Sequence, residues 1–289
     1  MSTSSKVEDD DLFESATHVY EPHKAGLPPL RPYFREVWRR REFIVELSRS
    51  MMNAAQTRTF FGRMWLVLNP LLLSLVYFFL LRVLRGGELP PDTFARLTSG
   101  LFVFHFVSQA LTGGSGSVVG GGRLIMNASF PRLMLPITAV RTAFFRFLPT
   151  LPVFYVIFLL SGLRPSWQQL FAIPALVSIT MFAMGLAALL ATVQVYFRDT
   201  STFMPYLIRI WLYTSPVLWY YDAHRAEGWL RLMWLNPLYS MIGAWSDALV
   251  RCEIAPWTMW VVGFAWGAAT LVLGCLFFMS REREFAVRL

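Results

Sequence analysis

The chain has 289 residues, of which 55% are hydrophobic and only 15% are charged. A soluble domain of this size carries roughly 25% charged residues to cover its surface, so the composition indicates a protein that is solvated largely by lipid. The net charge of +8 is then explained by membrane topology or anionic lipid, and nucleic acid is excluded as a partner.

The residues that usually supply energy or catalysis are missing. The only two lysines, Lys6 and Lys24, do not follow a glycine-rich turn, so the chain has no P-loop with which to hydrolyse ATP. The histidines and the two cysteines lack metal-ligand spacing, which predicts no metal site and no cofactor in this chain. Because the predicted spans also lack acidic residues, a proton-coupled carrier is excluded, and energy must come from a separate subunit.

The first part of the chain contains two different segments. Residues 1–32 are acidic and proline-rich, which predicts a flexible cytoplasmic tail. Residues 33–61 place apolar pairs, which begin at Val37, Ile44 and Met51, on one face, with arginines on the other. This pattern predicts an amphipathic helix in the headgroup plane. An ordinary surface helix is the alternative, but no soluble domain follows.

Residues 62–289 are predicted to form an all-α integral membrane domain with six transmembrane helices. Each needs roughly 20 apolar residues to cross a ~30 Å hydrocarbon core. The six candidate spans are residues 64–81, 97–122, 147–163, 166–197, 204–221 and 254–280. A further run, residues 234–246, is too short to cross and contains Asn236 and Pro237, which predicts re-entrant helices between spans five and six.

Arginine predicts the orientation. The segment before the first span is rich in arginine, which places it in the cytoplasm, whereas the later arginines divide evenly between the two sides. With six spans, both termini are then cytoplasmic.

A polar island bounded by prolines, residues 127–136, falls on the cytoplasmic side of this topology. It is interpreted as a contact helix of about two turns, through which another subunit pushes on this one. A solvent-exposed turn is the alternative. The contact is assigned to Asn127, Phe130, Pro131, Arg132, Leu133 and Pro136.

Aromatic and basic residues near the spans suggest a transport path. Tyr206 and Tyr213 are seven residues apart and share a helix face, and hydroxyl-bearing rings can stack on sugar rings while binding them weakly. An interfacial aromatic belt is the alternative. The candidate conduit residues are Tyr77, Tyr206, Trp211 and Tyr213. Candidates to hold a pyrophosphate at a cytoplasmic gate are Arg58, Arg63, Arg141, Arg146 and Arg209. Snorkelling of these arginines to lipid phosphate is the alternative.

Two features of the second span are expected to be structural. His105 lies among phenylalanines, which favours a packing role over a ligand role. Gly116 and Gly120 have the small-xxx-small spacing that allows tight helix packing.

Five short motifs in order resemble one protein family. Residues 58–70 (Arg-Thr-Phe-Phe-Gly-Arg-Met-Trp-Leu-Val-Leu-Asn-Pro) resemble the entry to the first span in the membrane subunits of type-2 ABC exporters of lipid-linked polysaccharide, such as O-antigen, teichoic acid or galactan. Residues 127–136 are similar to the Phe-Pro-x-x-x-x-Pro loop of that family. Its later landmarks are matched by residues 196–199, 213–217 and 236–238.

The resemblance implies a homodimer in the bacterial inner membrane, with two separate ABC ATPase subunits that use ATP and Mg. It implies export of a polyprenyl-pyrophosphate-linked polysaccharide, a coupling role for residues 130–133, and a conduit lined by spans one and five. It also implies an outward, periplasmic gate that includes Asn236, Pro237 and Tyr239. A type-2 ABC permease for a drug or small lipid stays open, and an integral membrane glycosyl- or acyltransferase is disfavoured by the lack of an acid-base pair.

Overall fold

The computed structural model describes residues 26–54, 61–87, 89–219 and 233–289, and within these ranges the chain forms helices, turns and loops without a strand. Residues 1–25 of the predicted tail and the predicted gate residue Arg58 lie outside the described residues.

The predicted amphipathic segment forms two helices rather than one. Helix α1 spans Leu30–Arg39 and helix α2 spans Arg41–Ala54, and the backbone leaves helical geometry at Arg40 (φ −96°, ψ 20°). The Arg40 guanidinium donates a 2.7 Å hydrogen bond to the carbonyl oxygen of Ser129, far along the chain. The break therefore lies where this segment is attached to the loop that follows Asn127.

Among the described residues, four helical stretches are long and apolar enough to cross a membrane. They are Gly62–Leu84, Met134–Leu160, Trp167–Tyr196 and Trp257–Arg288. They include α3 (Trp65–Leu84), α6 (Met134–Phe147), α7 (Thr150–Leu160), α8 (Ala172–Tyr196), α11 (Trp257–Arg281) and α12 (Phe285–Arg288). These stretches correspond to the predicted first, third, fourth and sixth spans.

The third predicted span begins earlier than expected. Its helix starts at Met134 instead of residue 147, because Arg141 and Arg146 interrupt the apolar run without interrupting the helix. The helical path changes only at Leu148 and Pro149, between α6 and α7, where proline removes a backbone donor.

The second and fifth predicted spans are not among the stretches that are long and apolar enough to cross a membrane. Helix α4 spans Thr93–Gly120 and is 28 residues long, but glycine and polar residues lower its hydropathy. Helix α9 spans Thr200–Thr214 and its 15 residues give a length of only about 22 Å. The count of six spans therefore stays a prediction.

The predicted re-entrant run contains a single buried helix, α10 (Pro237–Ser246), which continues into one wide helical turn at Asp247–Arg251. Residues 238–250 are all buried against the rest of the chain. The re-entry of this helix into a membrane stays a prediction.

The core is formed by α4, α6, α8 and α11, with two close helix crossings. A methyl group on Gly185 of α8 would lie 2.1 Å from the Thr270 carbonyl oxygen of α11, and one on Gly274 would lie 1.9 Å from the Gly185 carbonyl oxygen. A methyl group on Gly114 of α4 would lie 2.4 Å from the side chain of Ala187 on α8. Small residues thus allow these backbones to pack at a distance that any larger side chain would prevent.

Candidate functional site

The predicted contact helix at residues 127–136 does not form. Helix α5 (Gly122–Asn127) ends at the beginning of this segment, and Ala128 is fully extended (φ −141°, ψ 139°). Residues 128–133 connect α5 to α6 without forming a helix, and we call them the α5–α6 loop. Pro131 disfavours a helical residue before it, which explains why the local amphipathic pattern fails.

The predicted contact residues Asn127 and Pro136 lie at the ends of this loop, and Phe130 lies within it. Asn127 is exposed, and its side chain donates a 2.8 Å hydrogen bond to the carbonyl oxygen of Arg123 within its own helix. Pro136 is buried in the first turn of α6, where proline is tolerated. Phe130 is half-buried, and its ring centroid lies 5.3 Å from that of Phe43 on α2.

A buried polar cluster fixes the α5–α6 loop in place. The Tyr33 hydroxyl of α1 donates a 2.6 Å hydrogen bond to Glu282 Oε2, and the Leu133 amide donates to the same hydroxyl at 3.3 Å. Arg132 donates to the carbonyl oxygen of Glu282. Tyr33 and Glu282 are each only 9% exposed. We call these four residues the Tyr33 cluster.

The electrostatics of the Tyr33 cluster keep its phenol protonated. Burial and the adjacent Glu282 carboxylate raise the pKa of Tyr33 well above its usual range. Burial lowers the pKa of the Arg132 guanidinium, and the charge of Glu282 opposes that change. Tyr33 therefore remains a hydrogen-bond donor throughout the physiological pH range.

The C-terminal residues also attach to α8. The Tyr196 hydroxyl donates a 2.5 Å hydrogen bond to Glu284 Oε2, and the Arg288 guanidinium lies 4.3 Å above the Tyr196 ring. Sequence reasoning missed Tyr33 and Glu282 as site residues. The alternating charges of residues 281–284 gave no signal for this cluster, because such a pattern is typical of a solvent-exposed helix.

The predicted gate arginines are not all brought together. On α6, Arg141 lies 3.5 Å from the carbonyl oxygen of Val45, and the Thr142 hydroxyl donates to Ser48 at 2.9 Å, so α2 is attached to α6. Arg146 follows one turn later. By contrast, Arg63 is exposed before α3 and Arg209 is exposed on α9.

A chain of polar side chains joins α6 to α4. Arg146 Nη1 lies 3.2 Å from Gln109 Oε1, and Gln109 Nε2 lies 3.2 Å from His105 Nε2. His105 thus has a polar partner, instead of only the aromatic surroundings that the sequence suggested.

Two cavities lie beside this polar chain. The larger, of about 800 Å³, is bounded by α2, α4 and α6, and the smaller, of about 290 Å³, is bounded by α3, α4 and α6. Both are lined by Gln109, Ala143 and Arg146. Gly116 and Gly120 line the larger cavity, and a methyl group on either would meet nothing within 4 Å. The predicted packing role of these two glycines is therefore wrong within the single chain.

Three of the four predicted conduit aromatics lie together. Tyr206 and Tyr213 are 64% and 52% exposed on one face of α9, and the Tyr77 side chain of α3 lies near that of Tyr213. Trp211 does not lie with these three residues. Its ring centroid is 5.5 Å from that of Phe182 in the core.

The predicted periplasmic-gate residues form a clamp between α9 and α10. Asn236 Oδ1 accepts hydrogen bonds from Trp211 Nε1 at 2.8 Å and from the Leu238 amide at 3.1 Å. Asn236 Nδ2 donates to the Thr214 carbonyl oxygen at 3.0 Å and lies 3.3 Å from Ser215 Oγ.

The other two residues of that prediction support the same connection. Pro237 occupies the first turn of α10, where its fixed φ favours helix initiation. Tyr239 is 4% exposed, and its ring stacks on that of Trp219 at 5.9 Å.

These features define a multi-pass helical membrane protein whose polar groups collect at helix junctions and along exposed helix faces. Residues 41–250 match the family described as ABC-2 type transporter. The chain belongs to this family, so the resemblance found in the five motifs is confirmed, and the chain is a transport subunit rather than an enzyme.

Three named proteins align with most of the chain. The O-antigen export system permease protein RfbA of Myxococcus xanthus is 28% identical over 254 residues, which cover 87% of this chain and 97% of that protein. Two proteins of the same name from Klebsiella pneumoniae are 27% identical over 211 residues (73% of this chain, 81% of that protein) and 26% identical over 246 residues (85% and 94%).

Proposed function

We propose that this chain is the transmembrane subunit of an ATP-driven exporter that moves a polyprenyl-pyrophosphate-linked polysaccharide from the cytoplasm across the bacterial inner membrane. The observation that carries this proposal is the similarity, over 73–87% of this chain, to three proteins named as O-antigen export permeases. The exposed tyrosines of α9 are chemically suited to such a cargo, because aromatic rings stack on sugar rings without holding them tightly.

The conduit is proposed to form between two copies of the chain. Asn69 of α3 and Tyr206, Arg209 and Tyr213 of α9 are exposed in a single copy. Helix α3 is otherwise strongly apolar. An arginine that faces hydrocarbon costs several kcal/mol, roughly 3 on insertion scales. A second copy placed against α3 and α9 would enclose these groups in an aqueous path and remove that cost. Trp211 is assigned to the wall behind this path.

The proposed topology has six spans. The first two are α3 and α4, and the third is α6 together with α7. The fourth is α8, the fifth is α9 together with the residues that follow it, and the sixth is α11. Helices α1 and α2 and both termini lie on the cytoplasmic side in this arrangement. The clamp around Asn236 then lies toward the periplasm, where Asn236, Pro237 and Tyr239 would hold the outer end of the conduit.

Energy is proposed to enter through the α5–α6 loop, from two ABC ATPase subunits that bind ATP and Mg. Phe130 and Pro131 of the loop would contact the ATPase, while Arg132 and Leu133 are held in the Tyr33 cluster. A push on the loop would therefore move α1, the C-terminal residues and α6 together. A loop without these hydrogen bonds would deform instead and transmit less of the motion.

The arginines near the cytoplasmic ends of the spans are proposed to receive the anionic carrier. Arg141 and Arg146 lie beneath α2, Arg63 precedes α3, and Arg209 faces the conduit. Arg58 lies outside the described residues and is included in this proposal only because it begins the motif at residues 58–70.

Deletion and complementation test the function. Deleting the gene should abolish the surface polysaccharide and leave lipid-linked polymer in the cytoplasm, and the wild-type gene should restore export. If surface polysaccharide is unchanged while the cells become sensitive to an apolar drug, the alternative of a drug or small-lipid permease replaces this proposal.

A further inference from the structure

The two cavities share Arg146 in their walls, and the larger one has chemically different sides. The side formed by α4 is polar and open, with hydroxyl and amide groups from Ser108, Gln109 and Thr112 beside glycines. The opposite side, formed by α2 and α6, is mostly apolar and includes Leu47 and Leu135, with Thr142 and Arg146 as its polar residues. A volume of about 800 Å³ is within the range of about 300–1,000 Å³ that small-molecule sites occupy.

Arg146 lies where the two cavities meet, and its charge is not neutralised by the residues around it. The described residues that line the cavities include no carboxylate. Arg146 Nη1 reaches the neutral Gln109, Nη2 lies 3.5 Å from the Met51 carbonyl oxygen, and the buried Nε has no partner in the described part of the chain. The guanidinium thus has donor capacity that the described residues do not use.

Burial makes the unneutralised charge of Arg146 costly. The side chain is half-buried between α4 and α6, and its Nε is shielded from solvent. Ionised side chains inside membrane spans are expensive and usually meet a water-filled cavity, a partner or a ligand of opposite charge. Since the cavity is present and none of its described lining residues is acidic, an anionic ligand is the chemistry that fits.

We propose that Arg146, together with Gln109 and His105, binds the phosphate group of the lipid that this subunit exports, while the apolar wall formed by α2 and α6 receives the first part of its hydrocarbon chain. This inference rests on the proposed function and narrows it to one arginine among the candidates. Phosphate oxygens match the planar guanidinium, which forms paired charge-assisted hydrogen bonds. The amide of Gln109 and the imidazole of His105 add neutral hydrogen bonds that orient the headgroup.

The position of α2 supports this assignment. Leu47 and Met51 of α2 close the cavity from one side, and the helix is held over α6 by the hydrogen bond between Ser48 and Thr142. A lipid headgroup in the cavity would lie beneath an amphipathic helix of the kind that lies in the headgroup plane.

A binding measurement tests the proposal on the purified complex with its ATPase subunit, in nanodiscs of phosphatidylcholine. The probe is geranylgeranyl pyrophosphate, a short polyprenyl pyrophosphate. Arg146→Met should weaken its binding by roughly 10- to 100-fold, the range expected for loss of hydrogen bonds to a charged group. Arg146→Lys should recover part of the affinity, because it retains the charge without the planar fork. Unchanged affinity in Arg146→Met would overturn the proposal.

A second variant keeps the test decisive if Arg146→Met does not fold. Gly116→Leu places a side chain into open cavity space without altering Arg146, and it should also weaken probe binding. The matched control is Arg49→Met, which removes a positive charge from α2 that is exposed and paired with Glu46 at 3.3 Å. Equal affinities in Gly116→Leu and wild type would place the ligand elsewhere and overturn the assignment.

Two competitors identify the source of the phosphate. Phosphatidylglycerol and inorganic pyrophosphate should each displace the probe at least tenfold less well than the unlabelled polyprenyl pyrophosphate. Equal competition by phosphatidylglycerol would make this an ordinary lipid site, and equal competition by inorganic pyrophosphate would show that the hydrocarbon chain contributes nothing. Either result overturns the proposal while leaving the export assay of the proposed function unaffected, so the two can fail separately.

Discussion

The Tyr33 hydroxyl donates a 2.6 Å hydrogen bond to the Glu282 carboxylate, across a separation of 249 residues in the sequence. Because the Leu133 amide donates to the same hydroxyl, this one oxygen connects α1, the α5–α6 loop and the end of the last long helix. The loop proposed to receive the ATPase is therefore one part of a three-segment unit, and its position depends on both ends of the chain.

Replacing Tyr33 by Phe should destabilise this unit. The change leaves the buried Glu282 carboxylate without its donor and the Leu133 amide without its acceptor, at a cost of roughly 1–3 kcal/mol. We expect a lower Tm in detergent and weaker stimulation of ATP hydrolysis by the exported lipid. Tyr196→Phe is the matched control, since its partner Glu284 is 36% exposed and should cost less. Equal Tm values for Tyr33→Phe and wild type would contradict the prediction.

Replacing Gly185 by Ala should separate α8 from α11. The added methyl group would lie 2.1 Å from a backbone carbonyl oxygen, and backbone cannot yield as a flexible side chain does. Overpacking of this kind costs roughly 1–3 kcal/mol or more. The yield of monodisperse protein in size-exclusion chromatography measures the effect. Gly120→Ala serves as control because open space surrounds that position, and a normal yield for Gly185→Ala would show that the crossing is looser than described.

Replacing Asn236 by Ala should release the end of α9 from the start of α10. It removes the acceptor of Trp211 Nε1 and of the Leu238 amide, together with the donor to Thr214. We expect a loss of roughly 2–3 kcal/mol, since several hydrogen bonds are removed together. A double-mutant cycle of thermal unfolding with Trp211→Phe measures the coupling. Strictly additive effects would show that the two side chains do not act together.

Asp247 predicts a pH dependence of stability. Burial, opposed by Arg251 at 3.4 Å and reinforced by Glu253, raises the pKa of its carboxyl from 3.8 to about 6. The folded state therefore binds the proton more tightly than the unfolded state, and this contribution to stability is present below about pH 4 and is lost as the pH rises through about 6. The Tm of wild type should fall across that interval relative to Asp247→Asn. Parallel pH profiles would refute the shift.

Replacing Tyr213 by Ala should slow polymer export several-fold, because it removes an exposed ring from the proposed conduit. Tyr213→Phe should retain most of the rate if stacking is the main contribution. Export is measured as surface polysaccharide formed over time. Trp266→Ala on α11 is the control for loss of an exposed aromatic ring, and a wild-type rate in Tyr213→Ala would remove this residue from the conduit.

Several predicted sites could be located from the sequence but not described by it. The α5–α6 loop was found from its polar residues and prolines, yet its helical form was wrong because Pro131 restricts the backbone before it. Spacing placed Tyr206 and Tyr213 on one face of α9. Trp211 was grouped with them on composition alone, although at helical spacing it points toward Phe182 and Asn236.

The sequence by itself determined that this is a helical membrane protein, where four of its long apolar stretches lie, and which family it belongs to. These properties depend on local composition and short motifs, because the cost of placing each residue in lipid is nearly additive along a helix. Only the tertiary structure decided that Tyr33 meets Glu282, that Asn236 joins α9 to α10, and that Arg146 lines a cavity whose described residues include no carboxylate. Those relationships depend on the crossing of helices distant in sequence, and neither composition nor periodicity specifies which faces meet.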